Sequence, residues 1–120
     1  MNAKQLTFIF SHGPFGSSLA AEGLDAVLAA SVFDQKVNVV FQLDGVYLLL
    51  AEGHSEGIGM KDFRKGFKAL QMYGVENLLV DQKCLNARGL SSASLIDSVT
   101  ISTSDEIAQF LRSSDAVFTF

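Results

Sequence analysis

A chain of 120 residues has room for one compact domain, residues 1–120, and little beyond it. With 48% hydrophobic and only 18% charged residues it carries more apolar surface than so small a fold hides by itself, and a net charge of −4 speaks against a broad nucleic-acid-binding face. No apolar run approaches the roughly 20 residues of a membrane span, no signal-peptide pattern follows Lys4, and a lone cysteine, Cys84, excludes an internal disulfide and fits a reducing compartment.

Leu6, Thr7, Phe8, Ile9 and Phe10 form a near-continuous apolar run. That is the pattern of a strand covered on both faces, as in a parallel sheet. A small-residue turn follows, with the single proline, Pro14, between Gly13 and Gly16. Leu19, Ala20, Gly23, Leu24, Val27, Leu28 and Ala30 then recur at helical spacing, and Ser17 or Ser18 is placed to cap that helix. Gly23 costs a helix about 1 kcal/mol relative to alanine, so it points to a close approach of another element.

Val37, Val39, Val40 and Phe41 make a second strand, ended by Asp44-Gly45. Val46 to Leu50 reads as a short helix, because parallel strands need a crossover. Ala51 to Gly59, with His54, reads as a mobile loop. From Asp62 to Tyr73 the pattern is an amphipathic helix: Phe63, Phe67, Leu70 and Met72 on one side, Lys61, Arg64, Lys65 and Lys68 on the other, and Gly74 as terminator. Val75 to Val80 is a third strand, Asp81 to Ala87 a short helix ended by Arg88-Gly89-Leu90, and Val99 to Ile101 a fourth strand. Thr103 or Ser104 caps a helix through Arg112, with Asp105 and Glu106 where the dipole favours acids, and Asp115 to Phe120 is the last strand. Strands alternating with helices give a three-layer α/β/α sandwich around a mainly parallel, five-stranded sheet.

In such sheets sites form in the loops after the strands. Cys84 is the one strong nucleophile there. At a helix start, beside Lys83, it could act as a thiolate, and it could equally be a small packing residue. The Ser11–Ser18 turn could hold an anion or nucleotide, but the G-x-G-x-x-G and Walker A patterns are both missing, so no cofactor is indicated. His12, His54 and Cys84 lack metal-ligand spacing. Asp44 fits best as the cap of the helix that follows it. The lysine-rich face at 61–68 reads as solvated surface rather than an RNA contact.

Taken together, Phe8-Ile9-Phe10-Ser11, Pro14-Phe15-Gly16, Glu22-Gly23-Leu24-Asp25-Ala26-Val27-Leu28-Ala29, Asp44-Gly45-Val46-Tyr47-Leu48-Leu49 and Arg88-Gly89-Leu90 resemble the DsrE/DsrF family, and within it the TusC-like (DsrF-like) branch. The resemblance spans nearly the whole chain. It implies a cytoplasmic subunit that assembles with TusB-like and TusD-like chains, two copies of each, into a heterohexamer. That complex relays persulfide sulfur towards 2-thiolation of the tRNA wobble uridine. In the family the sulfur-carrying cysteine of the TusD/DsrE-like subunit lies just after a central strand, eight residues before the glycine of a basic R-G motif. Eight before Gly89 is Asp81, whereas Cys84 is five before it. An aspartate holds no persulfide, so the resemblance implies a structural or regulatory subunit without a catalytic residue, with Cys84 the remaining candidate carrier. The apolar excess then belongs to partner surfaces, with Phe15, Phe33 and Tyr47 as interface material; self-association of the isolated chain is a second outlet. Neither membrane contact nor direct tRNA binding is expected.

Overall fold

The alternation of apolar runs with turn residues produces one sheet of five parallel strands: β1 (Gln5–Phe10), β2 (Lys36–Phe41), β3 (Asn77–Asp81), β4 (Thr100–Ser102) and β5 (Ala116–Thr119). Their order across the sheet is β4-β3-β2-β1-β5. The computed structural model describes residues 4–14, 18–33, 35–50, 64–91 and 95–120. The expected loop with His54, the helix start at Asp62 and Phe63, and Phe15, Gly16 and Ser17 lie outside the described residues.

Successive strand residues point to opposite faces, and both faces are covered by helices. On one face lies the larger core, in which Phe8, Phe10, Val39, Phe41, Leu78 and Val80 meet α1 (Leu19–Ser31), the 3-10 helix Leu43–Leu49, α2 (Arg64–Ala69) and α3 (Gln82–Ala87). On the other face, among the described residues, only α4 (Ser104–Ser113) packs, laying Ile107, Phe110 and Leu111 over Ile9, Val40 and Leu79. This two-sided burial explains the unbroken apolar run of β1.

The larger core is organised on aromatic rings. Phe10 stacks on Phe41 at 5.4 Å between centroids, and both present an edge to Phe67 of α2, at 5.2 and 4.9 Å. Such geometry aligns ring edges with ring faces and adds to simple burial. Gly23 of α1 lets the helix come down on this cluster: a Cβ there would stand 2.6 Å from Phe10 and 2.9 Å from Phe120. Gly45 is more constrained, since its Cβ would lie 1.9 Å from the Phe10 carbonyl oxygen.

One layer of the α4 face is polar. Thr7, Asn38 and Asn77 are in register across β1, β2 and β3. Asn77 donates to the Asn38 side-chain oxygen at 2.8 Å, Asn38 donates to the Thr7 hydroxyl at 3.4 Å, and Thr7 shares a hydrogen bond with the Ser114 hydroxyl just beyond α4. Buried polar groups are tolerated when satisfied in this way.

Several expected boundaries move for identifiable reasons. The third strand begins at Asn77 rather than Val75, because the Val75 amide closes the preceding turn onto the Leu70 carbonyl at 3.1 Å. Before it, the helix tightens to 3-10 geometry over Leu70–Tyr73, and Gly74 ends it with φ +87°. That tightening carries Met72 off the apolar face, leaving it 88% exposed against expectation, while Phe67 and Leu70 are buried. The crossover after β2 is a 3-10 helix starting at Leu43, three residues earlier than read from sequence. Ser18 takes the N-cap position of α1, but its side chain makes no capping bond. Of the two residues offered as the cap of α4, Thr103 takes the position, and Glu106 completes a capping box with it.

The two glycines should respond differently to alanine. Gly23→Ala gains helix propensity and presses on movable rings, for a net loss of about 1–3 kcal/mol. Gly45→Ala meets backbone and should cost about 3 kcal/mol or more. Urea unfolding of both variants checks the order; a Gly45→Ala protein at least as stable as Gly23→Ala contradicts it.

Candidate functional site

The carboxyl ends of the strands bring together the residues that sequence singled out. After β1 the chain turns at Ser11, whose amide donates to the Phe120 carbonyl at 2.7 Å. This bond spans β1 and β5, the place where the strand order reverses and where α/β sheets commonly open a crevice. Here the crevice is packed, because the Phe120 ring lies against Phe8 and Phe10, with centroids 6.3 and 6.1 Å away. The Ser11 hydroxyl accepts from Gln42 Nε2 at 3.3 Å. It is thereby tied to the loop after β2 and is not paired with a base. His12 is exposed on the turn.

Leu43 leaves β2 with φ +50°, and Asp44 follows in the first turn of the 3-10 helix. Asp44 does not cap that helix. Gln42 occupies the cap position, and the Asp44 carboxylate accepts from Arg88 Nε at 3.1 Å. Arg88 Nη1 also donates to the Cys84 carbonyl at 3.3 Å. The arginine therefore ties the C-terminal end of α3 to the crossover after β2. Asp44 is 65% and Arg88 20% exposed, so the pair sits at a surface where water weakens it. This pairing was missed in the sequence reading. The available signal was two opposite charges, each in a motif quoted for the family resemblance, at Asp44-Gly45 and Arg88-Gly89.

Asp81 ends β3 and caps α3: its carboxylate accepts from the Lys83 amide at 2.9 Å. Cys84 stands one turn on, at the third position of α3, as a free cysteine that is half-buried and packed against the larger core. The helix ends at Gly89 with φ +68°, and Leu90 closes it by donating to the Leu85 carbonyl at 2.8 Å. Asp81, Cys84, Arg88 and Asp44 are thus neighbours on one edge, held chiefly by contacts that fasten α3. Among the described residues no group of three or more His, Cys, Asp or Glu side chains could hold a metal ion.

Two clefts frame these features. One of about 440 Å³ lies at the carboxyl edge, lined by Gly13, Pro14, Asp44 and Tyr47. The Asp44 carboxylate on its wall makes it a poor anion site; of the Ser11–Ser18 turn, residues 15–17 lie outside the described residues. The larger, about 510 Å³, lies at the opposite end of the strands, with Gln5, Asn38, Asn77, Tyr73 and Phe110 among its walls. Its amides are engaged with one another and with the serines beside α4, so the carboxyl edge remains the better candidate for chemistry. No helix among the described residues is long and apolar enough to cross a membrane.

Comparison with known proteins bears on the whole chain. The DsrE/DsrF-like family model matches residues 4–120. A protein TusC homolog of Vibrio vulnificus strain CMCP6 is 37% identical over 116 residues, 97% of this chain and 98% of the relative. The intracellular sulfur oxidation protein DsrF of Allochromatium vinosum is 34% identical over 131 residues, covering 98% of this chain and 96% of that one. Among solved structures, the ychN protein of E. coli superposes with a TM-score of 0.83 at 26% identity, over 98% of this chain and 99% of that one.

The Asp44–Arg88 pair should be weakly coupled. A double-mutant cycle with Asp44→Ala and Arg88→Ala is expected to give under about 1 kcal/mol, falling further in high salt. Asp81→Ala, which removes a cap, should cost about 0.5–2 kcal/mol by denaturant unfolding. An Asp81 effect indistinguishable from zero contradicts the capping role.

Proposed function

We infer the function from one premise: the chain belongs to the DsrE/DsrF-like family. Within it, the chain is proposed to act as a TusC-like, non-catalytic subunit of a sulfur relay that supports 2-thiolation of the tRNA wobble uridine. Its partners in this reading are TusB-like and TusD-like chains in a heterohexamer with two copies of each, in the cytoplasm. The similarity to an intracellular sulfur oxidation protein supports sulfur transfer inside the cell as the setting.

Asp81 carries the reading. Persulfide transfer requires a thiolate that attacks the outer sulfur of the donor persulfide, forming a new S–S bond and releasing the donor thiolate. The place where the family resemblance puts that thiolate is Asp81, whose carboxylate is occupied as the cap of α3. Cys84 is displaced by three residues, half-buried, and packed against the larger core. Exposed apolar side chains such as Phe33, 70% exposed at the end of α1, support a life among protein partners.

One feature favours a second reading, in which Cys84 carries persulfide: part of its surface is open, beside Lys83, at the sheet edge where sites form. The two readings separate in cells. Deleting the protein should abolish wobble 2-thiouridine, and Cys84→Ser should restore it to near the wild-type level, as read by mass spectrometry of tRNA nucleosides. Loss of thiolation in a folded Cys84→Ser protein overturns the non-catalytic reading. A gain of one sulfur in mass on Cys84, after incubation with a persulfide donor, supports the second.

A further inference from the structure

We propose that the cleft at the amino ends of the strands binds a guanidinium group, held by side-chain carbonyl oxygens whose direction the buried polar layer fixes. Such a site lies outside the proposed relay function and stands or falls without it.

The layer of Thr7, Asn38 and Asn77 has one workable direction. A carbonyl oxygen only accepts, so Ser114 Oγ, 2.6 Å from the Phe110 carbonyl, spends its single proton there. In the bond between the two hydroxyls Thr7 must then donate. The Thr7 oxygen is left to accept, and it takes Asn38 Nδ2 at 3.4 Å. Asn38 is 4% exposed, and turning its amide over would set an oxygen against a hydroxyl whose proton is already used. Its Oδ1 therefore faces Asn77, which supplies Nδ2 at 2.8 Å. The same logic holds beside it. Ser113 Oγ donates to the Phe110 carbonyl at 3.1 Å and so accepts from Gln5 Nε2 at 2.8 Å.

The nitrogens of Asn77 and Gln5 are thus committed to the protein, and their oxygens are what remains. Among the described residues neither Asn77 Oδ1 nor Gln5 Oε1 accepts a hydrogen bond. Neither is sealed from solvent, since Ser98 Oγ is the one buried side-chain polar atom among those residues that lacks a partner. Both residues line the cleft of about 510 Å³, a volume in the range of small-molecule sites.

Glu76 and Tyr73, the latter 53% exposed, stand on the same walls. Fixed oxygens, a carboxylate and an aromatic face together suit a ligand that is flat, cationic and donates only. A guanidinium is that group: its N–H donors lie around a planar rim, it carries no acceptor, and it stacks on aromatic rings. A neutral urea or amide would bring an acceptor oxygen towards these oxygens, and an ammonium has no flat face to lay on the ring. Lys36 is the one cation on the walls and opposes such a ligand, while Glu76 and the net charge of −4 favour it. The volume leaves room for an alkyl tail, which a free guanidino compound and an arginine side chain of a protein both have.

The test titrates the purified full-length chain, labelled with nitrogen-15, with agmatine, with the peptide Gly-Arg-Gly, and with Gly-citrulline-Gly as the neutral isostere. Shifts are expected at Gly74 and at the side-chain amides of Asn38 and Asn77, with a dissociation constant of about 1 mM or tighter. The guanidinium should bind at least about tenfold more tightly than citrulline. A preference for agmatine identifies a free compound as the source and a preference for the peptide identifies a protein arginine; either supports the site. Asn77→Leu should weaken binding at least about tenfold, and Tyr73→Ala about two- to fivefold. Thr7→Val, which removes the hydroxyl that sets the direction, should weaken it although Thr7 does not reach the cleft. Glu76→Gln should weaken binding and Lys36→Gln should tighten it. The exposed Tyr73, Glu76 and Lys36 variants decide the matter if the buried ones do not fold. No shifts at the cleft, citrulline bound as well as arginine, or an affinity unmoved by the folded variants overturns the proposal.

Discussion

Phe10 is the residue on which the architecture turns. Its ring fixes the aromatic cluster with Phe41 and Phe67, and Gly23 brings α1 down onto it. Its carbonyl accepts the Gln42 amide at 3.1 Å and lies against Gly45, so the same residue sets how the chain leaves β2. A close-packed interior transmits a misfit rather than absorbing it. The two glycines are therefore determined by Phe10: a side chain at either would displace α1 or the crossover that carries Asp44.

What Phe10 positions is an edge built for holding, with its charged groups spent on structure. Asp81 satisfies a free amide at the start of α3, and Arg88 links the end of that helix to Asp44 across the gap between two crossovers. A short helix of six residues has little stability of its own, and these contacts fix its orientation on β3. The place where a parallel sheet ordinarily offers chemistry is here used to set the shape of a surface. That fits the proposed role as a non-catalytic subunit.

The sequence was most legible where burial is two-sided or chemistry is local. The apolar runs of β1 and β2, the helix cap at Thr103 or Ser104 and the glycine stops at Gly74 and Gly89 were all readable, because each depends on a few neighbouring residues. Asp44 was misjudged as a cap, since its partner Arg88 is 44 residues away and no local pattern announces it. Met72 was misplaced because a change from α to 3-10 geometry alters which residues share a face. The Thr7–Asn38–Asn77 ladder was invisible for a related reason: strand register decides it, and each residue alone looks like a polar interruption in an apolar strand.

The uneven cover of the two faces has an energetic consequence. Among the described residues, four helical segments share the larger core, while α4 alone covers the smaller one, whose buried apolar residues are Ile9, Val40, Leu79 and Ile107. Releasing α4 exposes less apolar surface than releasing any part of the opposite side that holds the phenylalanine cluster. Native proteins open in such cooperative pieces, the least buried first. The native ensemble of this chain is therefore expected to contain a state in which α4 lifts while the β1–β2–β3 core and its ring cluster stay folded. Amide hydrogens along α4 would exchange with solvent through that state, long before those of β2 exchange through global unfolding.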